Sequence, residues 1–193
     1  MEEGKEINIR SEENGKYKKV IFLDVDGVLT TYQSYDLVVD EPMVQRLKKI
    51  IDATDAKVVM SSSRRLVYTW FREDSEELGG PSSKWRKEMT HLQEMFDKYG
   101  IEISDVTSLF ADNSGYRARP CQIREWLVDK PNITNFVILD DDTWCWEWLM
   151  PYRIRTRRNR PDGNRKETYH ERYIFGLQDE DVEKAIAILN KKK

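Results

Sequence analysis

Two aspartates separated by one valine follow an apolar run near the start of the chain. They are Asp24 and Asp26, within "VIFLDVDGVLTTY" at residues 20–32. Strand residues alternate between faces, so both carboxylates would project from the same side of a strand end. Two carboxylates held together repel each other unless a cation joins them or one keeps a proton. Gly27 comes next and allows a sharp turn of the backbone. This pattern is suited to cation binding or proton transfer.

Two further polar clusters also follow apolar runs. "AKVVMSSSRR" leads into three hydroxyl groups and two arginines, and "NFVILDDD" leads into three acids. In open parallel sheets, ligands bind beyond the carboxyl ends of the strands. If these runs are strands of one such sheet, a single pocket collects all three clusters. The polar members considered are Ser61, Ser62, Arg64, Arg65, Asp140, Asp141 and Asp142.

Continuous apolar runs and helical spacing of apolar residues predict the strands and helices that position these clusters. The runs "KKVIFLDV", "AKVVM" and "NFVIL" are short and continuously apolar, which is typical of strands buried on both faces of a parallel sheet. Helical spacing predicts helices in "EPMVQRLKKIIDATD", from about Lys84 to Tyr99 before Gly100, in "PCQIREWLVD" and in "DEDVEKAIAILNKKK". The alternation predicts an α/β fold with a doubly wound, mainly parallel sheet.

Composition limits the class of protein. The 193 residues, with 39% hydrophobic and 11% aromatic content, predict a single globular domain over 1–193. Charged residues reach 35% but leave a formal net charge of −3, so the whole chain has no general attraction for polyanions. Two cysteines without metal-ligand or redox spacing favour a reducing compartment. No apolar run suits a signal peptide or a membrane span, so we expect a cytoplasmic protein without membrane contact.

The ordered motifs resemble those of the haloacid dehalogenase-like (HAD) phosphohydrolase superfamily. "DVDGVLT" is similar to its signature of an aspartate, any residue, an aspartate, a glycine and a threonine. A serine after a strand, a basic residue leading a helix, and paired acids after another strand follow in the family order. More narrowly, "VVMSSSRR", "RPCQIREWL", "VILDDD" and "GLQDEDVEKAIAIL" are similar to the HAD domain associated with multidomain RNA-repair proteins. The resemblance implies a Rossmann-like fold and phosphomonoesterase activity.

The resemblance also implies roles for the acids. Asp24 would be the nucleophile and form an aspartyl-phosphate. Asp26 would protonate the leaving oxygen and then activate water. Mg²⁺ would be held by Asp24, by the backbone carbonyl of Asp26 and by Asp141, with Asp140 as a close neighbour. The run of three acids leaves this register open by one residue.

Serines and arginines would bind the phosphoryl group. By resemblance, Ser61 would hydrogen-bond it, with Ser62 as the alternative, and Arg119 would neutralise its charge, with Arg117 as the alternative. The family usually has tryptophan and arginine after the serines. Two arginines stand here instead, which adds positive charge near the expected pocket.

Each motif also has an ordinary structural interpretation. The DxDG string could open a calcium-binding loop, but the next acids of such a loop are absent and a strand precedes it. "SSSRR" alone is typical of a polar turn, and "DDD" alone of a solvated loop. The two histidines and two cysteines lack ligand-spaced or catalytic companions. The order of the three clusters and their places at strand ends favour the chemical interpretation.

A basic segment bears on the substrate. "MPYRIRTRRNRPDGNRKETYHERYIF", residues 150–175, contains eight basic and three acidic residues, a local charge of +5. "RPDGNR" is typical of a turn, so we expect a basic β-hairpin inserted at 150–175. Arginines beside aromatic rings are suited to single-stranded nucleic acid, although charged hairpins are also common as plain soluble surfaces. The candidate nucleic-acid contacts are Arg64, Arg65, Arg153, Arg155, Arg157, Arg158, Trp144 and Trp146.

Together these patterns predict a Mg²⁺-dependent phosphatase acting on phosphorylated ends of single-stranded RNA or DNA. Two alternatives stay open: a phosphatase of nucleotides or small metabolites, and a nucleic-acid-binding module on a HAD scaffold with little catalysis. No GxxxxGK[ST] loop is present, so no kinase half is expected in this chain. About a dozen residues separate Thr30 from the helix near Pro42, so we expect little or no cap. By analogy, capless members of the superfamily tend to act on macromolecules.

Overall fold

One parallel sheet forms the centre of the computed structural model, which describes residues 18–31, 39–108, 118–128, 130–142, 147–159 and 173–192. Its strands are β1 (Lys19–Leu23), β2 (Lys57–Met60), β3 (Ile103–Val106), β4 (Asn135–Asp140) and β5 (Arg153–Arg155). Their order in the described sheet is β3-β2-β1-β4-β5, and every pairing is parallel. The chain moves outward from β1 to β3 and then crosses back to β4, so the predicted doubly wound α/β fold is confirmed.

Five α-helices of the described chain connect and cover the strands. They are α1 (Glu41–Thr54), α2 (Arg65–Arg72), α3 (Lys84–Tyr99), α4 (Ala118–Val128) and α5 (Asp179–Leu189). The predicted bounds of α3 are confirmed, because Ser83 caps its first turn and Gly100 ends it with a φ of 59°. Within the residues described, no helix has both the length and the apolar character that crossing a membrane requires.

Two apolar clusters, one larger than the other, cover the two faces of the sheet. Alternate residues of β1 divide between them: Ile21 and Leu23 belong to the larger cluster, and Val20 and Phe22 to the smaller one. The larger cluster packs with α1, α3 and α5. The smaller packs with α4 and with a 3-10 helix at Glu147–Tyr152. Because β1 is buried on both sides, it reads in the sequence as a continuous apolar run.

The basic segment 150–175 differs from its prediction in its first part. Residues Arg153–Arg155 form β5 and pair with β4 of the main sheet, rather than forming a strand of a hairpin. Next, β6 (Arg158–Asn159) and β7 (Tyr173–Ile174) pair antiparallel, as hairpin strands do. Residues 160–172 between them lie outside the described part of the chain.

Two elements have little signal in the sequence. Strand β5 contains one buried apolar residue, Ile154, between two arginines, so no apolar run marks it. Helix α2 consists of "RLVYTWFR", which is rich in aromatic and β-branched residues that have no strong helix preference. Tyr68 is its buried residue. Both elements are therefore held in place mainly by their neighbours in the fold.

Phe22 anchors the smaller apolar layer. It is fully buried, and its ring makes edge-on contacts with Trp126 and Phe136 at centroid separations of 5.2 and 5.8 Å. Phe22→Ala leaves a cavity there, so we expect the free energy of unfolding to fall by about 3–5 kcal/mol in urea denaturation. Val128→Ala, at a residue with 68% exposure, is the control and should change stability by less than about 0.5 kcal/mol. Equal effects of the two substitutions would contradict this packing.

Candidate active site

The carboxyl ends of β1, β2 and β4 bring the three polar clusters to one edge of the sheet. Asp24 is the first residue after β1, Ser61 the first after β2, and Asp140 the last of β4. The N–H of Asp24 donates to the carbonyl of Leu139 at 3.0 Å. The N–H of Ser61 donates to the carbonyl of Leu23 at 2.9 Å. These backbone bonds hold the three side chains at the same level of the sheet.

Three carboxylates lie close together at this edge. One oxygen from each of Asp24, Asp140 and Asp141 lies within 4.8 Å of the other two. Asp24 and Asp140 are buried, and Asp141 is half-buried. Among the described residues this group does not include Asp142, whose backbone N–H donates to Oδ1 of Asp140 at 2.8 Å. The sequence left open which two of the acids 140–142 form the pair. The geometry favours Asp140 and Asp141.

Arg119, in the first turn of α4, lies between two of these acids. Its Nη1 donates to Oδ2 of Asp24 at 2.6 Å and also to Oδ2 of Asp140. The side chain is 18% exposed, so water screens these attractions only weakly. The sequence pattern of Asp24 and Asp26 indicates either a cation that joins two carboxylates or a proton kept by one of them. In the structure the joined pair is instead Asp24 and Asp140, which come from neighbouring strands.

Burial raises the proton affinity of two of the acids. It raises the pKa of Asp24 to about 7; Arg119 and a hydrogen bond from Ser62 oppose the rise, and repulsion from Asp140 adds to it. Burial also raises the pKa of Asp141 to about 6, with repulsion from Asp140 in the same direction and attraction from Arg157 against it. These two acids therefore hold a proton more tightly than an exposed carboxyl group does.

The donor set of this cluster fits a small divalent cation. Mg²⁺ prefers hard oxygen ligands, and carboxylates are the usual protein source of them. Oxygens of Asp24, Asp140 and Asp141 lie close enough together to share one ion. A cation among them would favour the ionised form of these buried acids. The carboxylate of Asp26 is not a member of this group among the residues described.

The turn after β1 brings Asp141 against the backbone. Gly27 has a φ of +70°, and a Cβ atom added to it would lie 2.6 Å from Cγ of Asp141. Its N–H donates to Oγ1 of Thr30 at 3.0 Å. Its carbonyl accepts from Oγ1 of Thr156 at 2.7 Å and from the N–H of Gly176 at 2.9 Å. Glycine is needed here because it tolerates both this backbone angle and this close approach.

The two serines after β2 have different environments, although both are fully buried. Oγ of Ser62 accepts from the N–H of Arg64 at 3.2 Å, and its hydroxyl hydrogen-bonds the carboxylate of Asp24. The hydroxyl of Ser61 has no hydrogen-bond partner within the part of the chain that the structure describes. A buried hydroxyl without a partner is costly unless a ligand satisfies it. Ser61 is therefore the better candidate for contact with a bound ligand.

Asp26 has a different arginine from Asp24. Residues 26–29 form a turn, in which the N–H of Leu29 donates to the carbonyl of Val25 at 2.9 Å. The strand has ended by this point, so its alternation no longer controls the direction of Asp26. The carboxylate of Asp26 accepts from Nε of Arg64 at 2.9 and 3.0 Å and lies 2.8 Å from Nη2. Asp24 is thus paired with Arg119, and Asp26 with Arg64.

Arg64 is a candidate nucleic-acid contact near the expected pocket. In the structure its side chain is 6% exposed. Its Nη1 donates to Oε2 of Glu88 at 2.7 Å. These partners argue against a contact between Arg64 and nucleic acid. Glu88 carries no sequence signal, because a single acid in an amphipathic helix is usually a surface residue; its burial arises when α2 packs on α3.

Arginines of the basic segment also face acids. Arg157 lies 4.0 Å from a carboxylate oxygen of Asp141 and 3.8 Å from one of Asp142. Nε of Arg155 donates to the carbonyl of Asp141 at 3.4 Å. Arg158 forms ion pairs with two acids in the first turn of α5. Much of the positive charge described here therefore compensates the protein's own acids.

The remaining predicted contacts divide into two groups. Arg65 is half-buried and donates to the carbonyls of Ser62 at 2.8 Å and Ser108 at 3.0 Å. Arg153 is half-buried at the start of β5. The other predicted residues lie outside the described part of the chain. They are Arg117, Trp144 and Trp146.

A comparison with known families matches this chain to one of them. The model for the HAD domain in Swiss Army Knife RNA repair proteins matches residues 20–79 and 81–181. These ranges contain Asp24, Ser61, Arg119 and the acids after β4. No curated protein and no solved structure matches the chain. The resemblance that the ordered motifs indicated is confirmed.

Gly27→Ala should disturb the acid cluster. The added Cβ would collide with the carboxyl group of Asp141. In addition, alanine rarely adopts the backbone φ of +70° found at this position. We expect Mg²⁺ affinity in calorimetric titration to fall by about tenfold or more, as when groups that orient metal ligands are changed. Gly80→Ala is the matched control, because a Cβ there meets no atom within 4 Å. Equal Mg²⁺ affinity in the two variants would contradict the claim that the absence of a side chain at Gly27 lets Asp141 join the acid cluster.

The contribution of Asp24 to metal-free stability should fall as the pH rises from about 4 to 7. The pKa of Asp24 is about 7 in the folded protein against 3.8 for an unperturbed group. The folded state therefore binds the proton more tightly, and ionisation across this interval disfavours folding. Relative to wild type, Asp24→Asn should gain stability with rising pH, by roughly 4 kcal/mol at most, and level off above pH 7. Urea denaturation with a chelator measures this difference; parallel pH curves would contradict it.

Proposed function

The chain belongs to the family of HAD domains in Swiss Army Knife RNA repair proteins, and on this basis we propose that it is a Mg²⁺-dependent phosphatase of nucleic-acid ends. Membership of this family supports phosphatase-type hydrolase chemistry in general. The observation that carries the finer proposal is the convergence of Asp24, Ser61, Arg119 and the carboxylates after β4 at one sheet edge. Phosphoryl transfer needs an aligned nucleophile, hydrogen-bond donors, a cation and metal ligands.

Asp24 is the proposed nucleophile. Its Oδ1 accepts from the N–H of Val25 at 2.8 Å, and its Oδ2 accepts from Arg119 at 2.6 Å. These bonds hold the carboxylate in one orientation. An oxygen of Asp24 attacks phosphorus, the bond from phosphorus to the leaving oxygen breaks, and an aspartyl-phosphate forms. Water then attacks this phosphorus, which releases inorganic phosphate and restores Asp24.

Asp26 is the proposed proton carrier. It gives a proton to the leaving oxygen in the first step and takes one from the attacking water in the second. The hydroxyl of Ser61, which lacks a partner among the described residues, would donate to a phosphoryl oxygen. Arg119 would compensate the charge on the oxygens around phosphorus, since it already contacts the nucleophile.

Mg²⁺ is the proposed cofactor. Asp24, Asp141 and the backbone carbonyl of Asp26 would hold the ion, with Asp140 beside them. Mg²⁺ in this position supplies charge neutralisation and orientation for the phosphoryl group. The proposal is supported by the three carboxylates within 4.8 Å of one another and by the raised pKa values of Asp24 and Asp141. The bond from Arg119 to Asp140 gives that acid a second task, which is to hold the arginine.

Two observations favour nucleic-acid ends as the substrate. The matching family is described from RNA repair proteins, where removal of a terminal phosphate would be a suitable activity. In addition, the sequence of residues 150–175 has a local charge of +5, and Arg157, one of its described residues, lies 4.0 Å from a carboxylate oxygen of Asp141. A polyanionic strand that presents its end to Asp24 would meet this segment. A mononucleotide contains the same phosphate ester without the extended backbone.

Turnover of a defined substrate panel tests the proposal. Oligonucleotides of RNA and DNA with a 3′- or 5′-phosphate are compared with mononucleotides and glycerol phosphate, with Mg²⁺ and with a chelator. We expect at least one class of oligonucleotide to exceed the mononucleotides in kcat/KM by about tenfold, since each extra phosphate contact adds affinity. The chelator should abolish turnover. Asp24→Asn should lower kcat by about a thousandfold or more, because it removes the nucleophile.

Asp52→Asn, a change on the exposed face of α1, is the control and should leave kcat unchanged. Equal turnover of mononucleotides and oligonucleotides would instead identify a small-molecule phosphatase. Salt-sensitive binding of oligonucleotides without any turnover would identify a binding module.

A further inference from the structure

Arg64 connects the two aspartates of the first cluster. Its backbone N–H donates to Oγ of Ser62 at 3.2 Å, and the hydroxyl of Ser62 hydrogen-bonds Asp24. Its guanidinium contacts the carboxylate of Asp26 at distances from 2.8 to 3.0 Å. One residue at the start of α2 thus links the proposed nucleophile to the proposed proton carrier.

The two oxygens of Asp26 are held unequally. Oδ1 lies 3.0 Å from Nε and 2.8 Å from Nη2 of Arg64. Oδ2 contacts Nε at 2.9 Å. A guanidinium is planar and presents its donors in a fixed fork, so two nitrogens on one oxygen define its position well. Arg64 therefore holds Oδ1 through two nitrogens and Oδ2 through one, which fixes the orientation of the Asp26 carboxylate.

Glu88 fixes the guanidinium from the other side. Its Oε2 lies 2.7 Å from Nη1 of Arg64, and the two side chains are 3% and 6% exposed. The arginine therefore has acids on both sides, one from the turn after β1 and one from α3. Because α3 is packed into the larger apolar cluster, Glu88 supplies a rigid reference point for Arg64 and, through it, for Asp26.

Packing alone gives no reason for an acid at this position of α3. Glu88 shares the buried face of the helix with Met89 and Leu92. Desolvation of a buried ion pair costs about as much as the attraction returns, and apolar replacements of similar volume are often at least as stable. Oε1 of Glu88 also has no hydrogen-bond partner in the described chain, and Nζ of Lys84 lies 3.8 Å away. An action on Arg64 accounts for this acid better than packing does.

We propose that Glu88 and Arg64 are positioning residues that orient Asp26 for proton transfer to the leaving group. The inference rests on the proposed phosphatase function and extends it to Glu88, which no motif marks. As the bond from phosphorus to the leaving oxygen breaks and the bond to Asp24 forms, the proton on Asp26 passes to the leaving oxygen. Arg64 fixes the direction of the Asp26 carboxylate and acts on the reaction only through it.

Proton donation by Asp26 has a kinetic signature that a purely structural role lacks. A sugar or glycerol oxygen is strongly basic and leaves only with a proton, whereas nitrophenolate leaves readily without one. A well-placed general acid contributes about a hundredfold to ten-thousandfold to the first kind of reaction. The constant kcat/KM covers only the steps up to departure of the leaving group, so the later hydrolysis of the aspartyl-phosphate does not affect it.

The experiment compares kcat/KM for 4-nitrophenyl phosphate and glycerol phosphate at saturating Mg²⁺. In Glu88→Gln we expect the ratio of the aryl ester to the alkyl ester to rise by about tenfold or more, because Asp26 is less well oriented. Asp26→Asn should shift the ratio in the same direction and further. The double change Arg64→Met with Glu88→Met replaces the buried pair by apolar side chains, so that the fold is kept while Asp26 is released.

Lys84→Met is the matched control. It removes the other cation near Glu88 but leaves the contacts of Arg64 in place, so the ratio should stay within about twofold of wild type. If wild type hydrolyses both esters but the ratio is unchanged in Glu88→Gln and in the double variant, the positioning role is overturned. Equal losses of kcat/KM for the two esters in these variants would overturn it too. A phosphorylated oligonucleotide, which is also an alkyl ester, replaces glycerol phosphate if wild type does not hydrolyse the latter. If wild type releases phosphate from none of these esters, the proposed phosphatase function is wrong, and this inference with it.

Discussion

Buried negative charge at one edge of a parallel sheet is the constraint on which the rest of this structure depends. Strands β1 and β4 are neighbours, and both end in acids, so Asp24 and Asp140 are brought together by the pairing of the backbone. Unpaired charges in such a place are costly. Arg119 joins the two acids, yet the pKa of Asp24 stays near 7 and that of Asp141 near 6. Oxygens of Asp24, Asp140 and Asp141 also lie within 4.8 Å of one another, so the three acids could hold a metal ion.

Arginines from separate elements of the fold balance the negative charge of these acids. Arg119 comes from α4, Arg64 from the start of α2, and Arg157 from the loop after β5. This division gives a physical reason for a composition with 35% charged residues and a net charge of only −3. Positive charges that resemble a nucleic-acid patch in the sequence serve in part as counter-charges to the acids. Arg157, one described residue of the basic segment, lies next to Asp141.

The backbone of the first loop connects these parts. The carbonyl of Gly27 accepts hydrogen bonds from Thr156 and Gly176, so the turn after β1 is tied to the segments that follow β5 and precede α5. Its missing side chain makes room for Asp141. Glu88 acts from the opposite side through Arg64. The nucleophile and the proton carrier of the proposed reaction are thus held by contacts from most of the described fold, although they are two residues apart in the chain.

Local sequence patterns were sufficient for the strands, for most helices and for the clusters at the strand ends. Apolar runs that end in Asp24, Ser61 and Asp140 predict both the parallel sheet and its functional edge, because burial and alternation act within a few residues. Gly100 marked the observed end of α3 for the same reason. Which arginine meets which acid, the burial of Glu88, and the pairing of β5 with β4 depend on contacts between residues far apart in the chain. Only the packing of the helices and the order of the strands decided them, since charged side chains reach several possible partners and nothing in the local sequence selects one.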